Sequence, residues 1–244
     1  MKGLKYIKFI QKERENAIRN SWKLKNVTLK DKEKDIYFLS KNLRIPPLLI
    51  VRRFMLLEGY TKKEVNQAIE GTLEVNEFYY RLLEKAREND LINSPLANKR
   101  AKERGLEGEV ILREWLNHLN FEFEIDPANG KDSLPDILLA EPMKIFGQEI
   151  KWIESKCSFG SEFDLKRHRK QFDNFDSFGH GCIVFWFGFE PNNDYFMISG
   201  NDLKKVLPEF LVDRVDKMLN FVPTEFYKYL NAKRRRFYKK NKRE

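Results

Sequence analysis

The chain has 244 residues, of which 41% are hydrophobic, enough to fill one large core or two modest ones. Its formal charge of +9, from 46 Lys and Arg against 37 Asp and Glu, points to a polyanionic partner. No apolar run approaches the ~20 residues that a membrane span requires, residues 1–14 lack the unbroken apolar stretch of a signal peptide, and the two cysteines, Cys157 and Cys182, have neither disulfide nor zinc spacing. A cytoplasmic protein is expected.

Residues 1–92 read as a helical domain. Leu4, Ile7, Phe9 and Ile10 open an amphipathic helix running through Ile18 and Trp22. Asp31 is expected to open the next helix, with Ile36, Phe38 and Leu39 on its inner side. Pro46-Pro47 starts a third, Leu48 to Leu57, because proline fits only the first helical turn, and Gly59 stops it. Thr61 caps a fourth, which ends at Gly71. A short helix, a tight connection and a second helix bearing Arg52 and Arg53 give the outline of a helix-turn-helix, whose second helix would enter the major groove. A plain helical bundle with solvated arginines explains the same pattern. Asn76 to Arg87 makes a further helix with Phe78, Leu82 and Leu83 inward. The polar turn Asn89-Asp90 through Ser94-Pro95 is the expected domain boundary, giving domains of 1–92, 93–207 and 208–244.

After Gly105 comes a helix with Val110, Ile111, Leu112, Trp115 and Leu116 at helical spacing. It can lower an acid toward the following sheet, with Glu109 as first choice and Glu107 as the alternative. Phe121 to Ile125 alternates and reads as the first strand. Two more follow: Leu134-Pro135-Asp136-Ile137-Leu138-Leu139, a turn from Glu141-Pro142 through Gly147, then Gln148 to Lys156. Strand alternation puts Glu154 and Lys156 on one face and Ile153, Ser155 and Cys157 on the other. Asp136, at the head of the preceding strand, can come level with Glu154. Two carboxylates and the main-chain carbonyl of Ser155 are hard oxygen donors of the kind Mg²⁺ takes. Lys156 would face a water or a phosphate, so the stretch reads as the core of a metal-dependent nuclease. A solvated strand end with a surface ion pair is the bland alternative. Glu162 to Phe175 then reads as a helix, Gly181 to Phe189 as a central strand and Tyr195 to Ile198 as an edge strand. The fold class expected is α/β, a helical N-terminal domain followed by a restriction-endonuclease-like core with a mixed sheet.

The stretches Leu134 to Leu139, Trp152 to Gly160, Gln171-Phe172 and Gly181 to Phe189 together resemble the TPD family of archaeal proteins, similar to the eukaryotic codanin-interacting nuclease. That family belongs to the PD-(D/E)xK superfamily, whose pattern is met here by Pro135-Asp136 and Glu154-Ser155-Lys156. One departure is Leu134, where the family's name-giving Thr would stand. The resemblance implies that Asp136 and Glu154 bind Mg²⁺, with Mn²⁺ as its expected substitute. It further implies that Lys156 assists the nucleophile, that Glu109 matches the superfamily's helical acid, and that Gln171 lies near the site.

His118 and His180 have no metal-ligand partner at useful spacing, and Cys157 reads as core rather than nucleophile. Arg167 and Lys170, on the helix after the motif, are candidate phosphate contacts. So are Arg234, Arg235 and Arg236 in the basic C-terminal run, where Phe237 and Tyr238 could stack on a base. The expectation is a Mg²⁺-dependent endonuclease acting on double-stranded or branched DNA, with a homodimer as a further expectation. The alternatives are a non-catalytic DNA-binding protein that keeps the fold, and a nuclease acting on structured RNA.

Overall fold

The computed structural model describes residues 2–125 and 134–231, so Arg234, Arg235, Arg236 and the rest of the basic run lie outside the described residues. The chain divides into two units, one of Met1–Lys8 and Ala101–Phe221, the other of Phe9–Arg100 and Val222–Glu244.

The second of these is helical. It takes most of α1 (Lys2–Asn20), then α2 (Ile36–Leu43), α3 (Pro47–Leu57), α4 (Lys62–Glu70), α5 (Glu77–Asn89) and the start of α6 (Pro95–His118). The sequence-level stop and start signals work where the cap is local: Thr61 and Glu64 form a capping box on α4, and Gly71 ends it at φ 81°. Three expectations are corrected. Asp31 belongs to a 3₁₀ turn, Leu29–Glu33, and α2 begins only after Asp35, whose carboxylate accepts the amides of Tyr37 and Phe38. Phe38 and Phe78 face solvent rather than the core, because each helix is phased by its neighbours: Ile36 and Leu39 turn inward on α2, and Tyr79, Leu83 and Ala86 on α5. Ile18 and Trp22 are likewise exposed, since α1 ends at Asn20 and a 3₁₀ turn carries Trp22.

α3 is the centre of this unit. It packs against α2, α4 and α5, and Leu48, Ile50, Val51, Phe54 and Met55 are all buried. Within it only Leu57 is exposed, and Arg52 is occupied by Asn66, to whose Oδ1 it donates at 2.9 Å. Leu49, Arg52, Arg53 and Leu56 are half-buried along the rest of the helix. The polar turn before α6 holds buried side chains. Asp90, Ile92 and Ser94 are buried there, Ser94 accepts the Ala97 amide at the start of α6, and the break between units falls later, inside α6.

The other unit carries a five-stranded mixed sheet in the order β1 (Phe123–Ile125), β2 (Ile137–Ile145), β3 (Gln148–Lys156), β4 (Gly181–Phe185), β5 (Met197–Ser199). The first three strands pair antiparallel and the last two join parallel, the β3 to β4 crossing being made by α7 (Glu162–Phe175). Trp152, Leu165, Phe172, Phe175, Ile183 and Phe185 form the core between α7 and the sheet. Two expectations change here. The hairpin turns at Phe146 and Gly147, both at positive φ as tight hairpins require, and Pro142 lies inside β2 where its register against β3 shifts. β4 stops at Phe185; Trp186 and Phe187 stay buried in a turn ended by Gly188 at φ 88°. α8 (Gly200–Leu203) and α9 (Glu209–Asn220) complete the unit.

Candidate active site

Regular pairing of β2 with β3 ends at Ile137 and Ile153. One step further the side chains take over from the ladder. The Asp136 amide donates to Glu154 Oε2 at 3.1 Å, and the Ser155 amide donates to Asp136 Oδ2 at 2.7 Å. Each carboxylate thus fixes the backbone of the opposite strand, which holds Asp136 beside Glu154. Glu154 is 1% exposed. Its Oε1 accepts from Lys156 Nζ at 2.5 Å, two residues on along the same strand face, and from Gln171 Nε2 at 3.3 Å, reaching down from α7. Gln171 Oε1 in turn lies 3.3 Å from His168 Nδ1, and His168 stacks on Phe172.

The opposite face of β3 is closed by α6. Ser155 Oγ accepts from the indole N–H of Trp186 at 2.9 Å, and Cys157 Sγ donates to the Arg104 carbonyl. Gly108 permits this approach: a Cβ there would stand 2.5 Å from Trp186 Nε1 and 2.8 Å from Cys157 Sγ. The next residue, Glu109, feels the charges of both Asp136 and Lys156 and is held by Arg113 Nη2 at 2.7 Å. Glu107 pairs with Arg214 instead, so of the two it is Glu109 that feels the charge of Asp136.

Burial pushes the Glu154 carboxyl up to about 7; the Lys156 ammonium pulls it back and the Asp136 charge adds to the rise. Glu109 is raised as well, first by burial and then by Asp136. Burial pushes the Cys157 thiol up to about 12, which favours its protonated form. Among the described residues no three His, Cys, Asp or Glu side chains are gathered into a ready metal cage. The donor set nonetheless suits a hard cation: Mg²⁺ keeps several waters and needs one or two carboxylates. The mutual repulsion of Glu109, Asp136 and Glu154 is what a divalent charge would offset.

Sequence reasoning brings Asp136, Glu154, Lys156, Glu109 and Gln171 to one place, and the structure gathers the same five. Arg167 and Lys170 are exposed on α7, whereas Arg52 and Arg53 belong to the helical unit. Residues not foreseen are Arg113 and Trp186, and His168, read as an exposed group on the helix beside the site, is half-buried against Gln171 and Phe172. His168 and Arg113 sit three and four helical positions from Gln171 and Glu109, a spacing that could have flagged them.

No helix among the described residues is long and apolar enough to cross a membrane. No solved structure is significantly similar to the chain. The sequence signature described as "protein of unknown function, TPD sequence-motif" matches residues 78–198. CDAN1-interacting nuclease 1 of Xenopus laevis is 36% identical over 129 residues, 51% of this chain and 43% of that protein. The Homo sapiens protein of the same name is 32% identical over 182 residues, 72% of this chain and 60% of that protein. The chain therefore spans 43–60% of the length of these relatives. The match to the TPD sequence-motif signature takes in Glu109 and the whole cluster around Asp136 and Glu154, all within residues 78–198.

Proposed function

We propose that the chain is a divalent-cation-dependent nuclease of the PD-(D/E)xK type that hydrolyses phosphodiester bonds in DNA. The observation that carries this reading is the lock between Asp136 and Glu154, with the Lys156 ammonium on the same buried carboxylate. The nuclease names of the relatives, and the basic charge of the chain, support it. Asp136, Glu154 and the Ser155 carbonyl would hold Mg²⁺ or Mn²⁺, with Glu109 able to join them. The bound cation supplies neutralising charge at the phosphate and lowers the pKa of water. Lys156 has three N–H donors, one of them on Glu154; the others serve an attacking water or a phosphate oxygen. Gln171 holds Glu154 from the side of α7, and Asp136 with the Ser155 amide keeps the two strands from parting. Exposed Arg167 and Lys170 on the same helix offer charge to the flanking backbone.

The test is nicking of labelled DNA with and without Mg²⁺, comparing the native chain with Asp136→Ala and Lys156→Ala. Cutting that needs the cation and is lost in both variants is the expected result. DNA binding by all three with no cutting of duplex, flap, junction or RNA substrates would leave a binding protein on a nuclease fold.

A further inference from the structure

We propose that Trp22 and the basic segment around it form a stacking site for an unpaired nucleobase in the helical unit. Of the chain's 4 tryptophans, Trp115, Trp152 and Trp186 are at most 2% exposed, whereas Trp22 is 59% exposed. Indoles are among the most buried side chains on average, so a ring left this open is not serving the core. Nor does it hold its own element together: the 3₁₀ helix Ser21–Asn26 that carries it contains no buried residue. The charge around it is one-sided. From Ala17 to Lys30 there is no Asp or Glu, while Arg19, Lys23, Lys25 and Lys30 are all present. Lys23 Nζ lies 5.9 Å from the Trp22 ring centroid, and Arg19 reaches Glu15 at 3.8 Å.

A flat aromatic face flanked by cations is the pairing a single strand recognises, the ring taking a base and the cations its phosphates. An apolar protein partner would want a ring set among apolar neighbours. Here the neighbouring Leu24 and Val27 are committed to the helical core, although Ile18 and Leu29 are exposed alongside. Base stacking on an open Trp also requires an unpaired base, since bases in duplex DNA are already stacked.

The test uses the full chain in EDTA, so that hydrolysis plays no part, and an oligodeoxythymidine of ~12 nucleotides, within the usual single-strand site size. Trp22 is the solvent-facing indole, so the quenchable part of the tryptophan emission reports it. The expected result is quenching on addition of the oligonucleotide and binding that weakens with salt. Trp22→Ala should lose about tenfold in affinity while Trp22→Phe keeps most of it. The proposal is overturned if Trp22→Ala binds as tightly as the native chain, if emission does not respond to the oligonucleotide, or if only phosphatidylserine vesicles quench it. Because cleavage is not measured, failure here leaves the carboxylate site untouched, and loss of cutting elsewhere leaves this site untouched.

Discussion

Two carboxylates among the described residues are almost fully buried, Asp90 at 2% exposure in the helical unit and Glu154 at 1% in the sheet unit. Burial raises the pKa of both. What surrounds them differs. Asp90 accepts the backbone amides of Leu48, Ile92 and Asn93 at 2.7–3.2 Å, so it works as a remote cap that pins the start of α3 to the turn after α5. Glu154 accepts one backbone amide, and its other oxygen takes the side chains of Lys156 and Gln171 with the Asp136 charge nearby. A carboxylate satisfied by backbone amides serves the fold, because those donors cannot move without it. One placed between titratable groups has partners that can be exchanged for a cation, a water or a phosphate, and that is the arrangement chemistry needs.

The largest expected effects split the two residues cleanly. Asp90→Ala leaves three backbone amides, two of them buried, without an acceptor and should cost about 3–5 kcal/mol of stability. Urea unfolding followed by circular dichroism measures this, and a loss near zero would mean the turn does not hold α3. Glu154→Gln keeps the shape and removes a costly buried charge but turns one accepting oxygen into a donor, so stability should fall by about 1–2 kcal/mol, less than for Asp90→Ala. Nicking by the same variant should fall by about 10²–10³-fold. If it instead unfolds the protein as Asp90→Ala does, the contrast between the two sites collapses.

Next in size is Gln171. Its amide is one of two side-chain donors on Glu154 Oε1, and His168 fixes its other end. Gln171→Ala should lower the nicking rate about tenfold, the worth of one hydrogen bond to a charged group, with the native melting temperature retained. An unchanged rate would show that Lys156 alone orients the carboxylate.

The parts legible in the sequence were those encoded over a few residues. Strand alternation gave Glu154 and Lys156 their shared face, and Pro135 before an apolar run placed Asp136 at a strand head. Glu162 to Phe175 read as a helix, which carried Gln171 toward the motif strands; that helix is α7. The illegible parts depend on residues far apart in the chain. Phe78 and Tyr79 are adjacent on α5, and only packing against α3 decides which is inside. Glu141-Pro142 reads as a turn because proline cannot donate to a ladder, yet β2 carries it through a register shift, and the turn is made by Phe146-Gly147. Asp90 looked like linker because its three amide partners include Leu48, 42 residues earlier.

The smallest effect concerns pH. Burial holds the Asp90 carboxyl above its ordinary value of 3.8, so just above that pH the native state keeps a proton that the unfolded chain has released. Stability from this group is therefore complete below 3.8 and is lost as pH rises through the folded-state value. The slope for one proton is at most about 1.4 kcal/mol per pH unit. Asp90→Asn has no proton to lose, so its unfolding free energy relative to the native chain should improve steadily as pH is raised from about 4. Measuring the two proteins side by side in denaturant cancels every other titrating group, because all of them are shared. A difference that stays constant across that range would mean the three amides stabilise the ionised Asp90 enough to cancel its burial, which would make the cap stronger than its raised pKa implies.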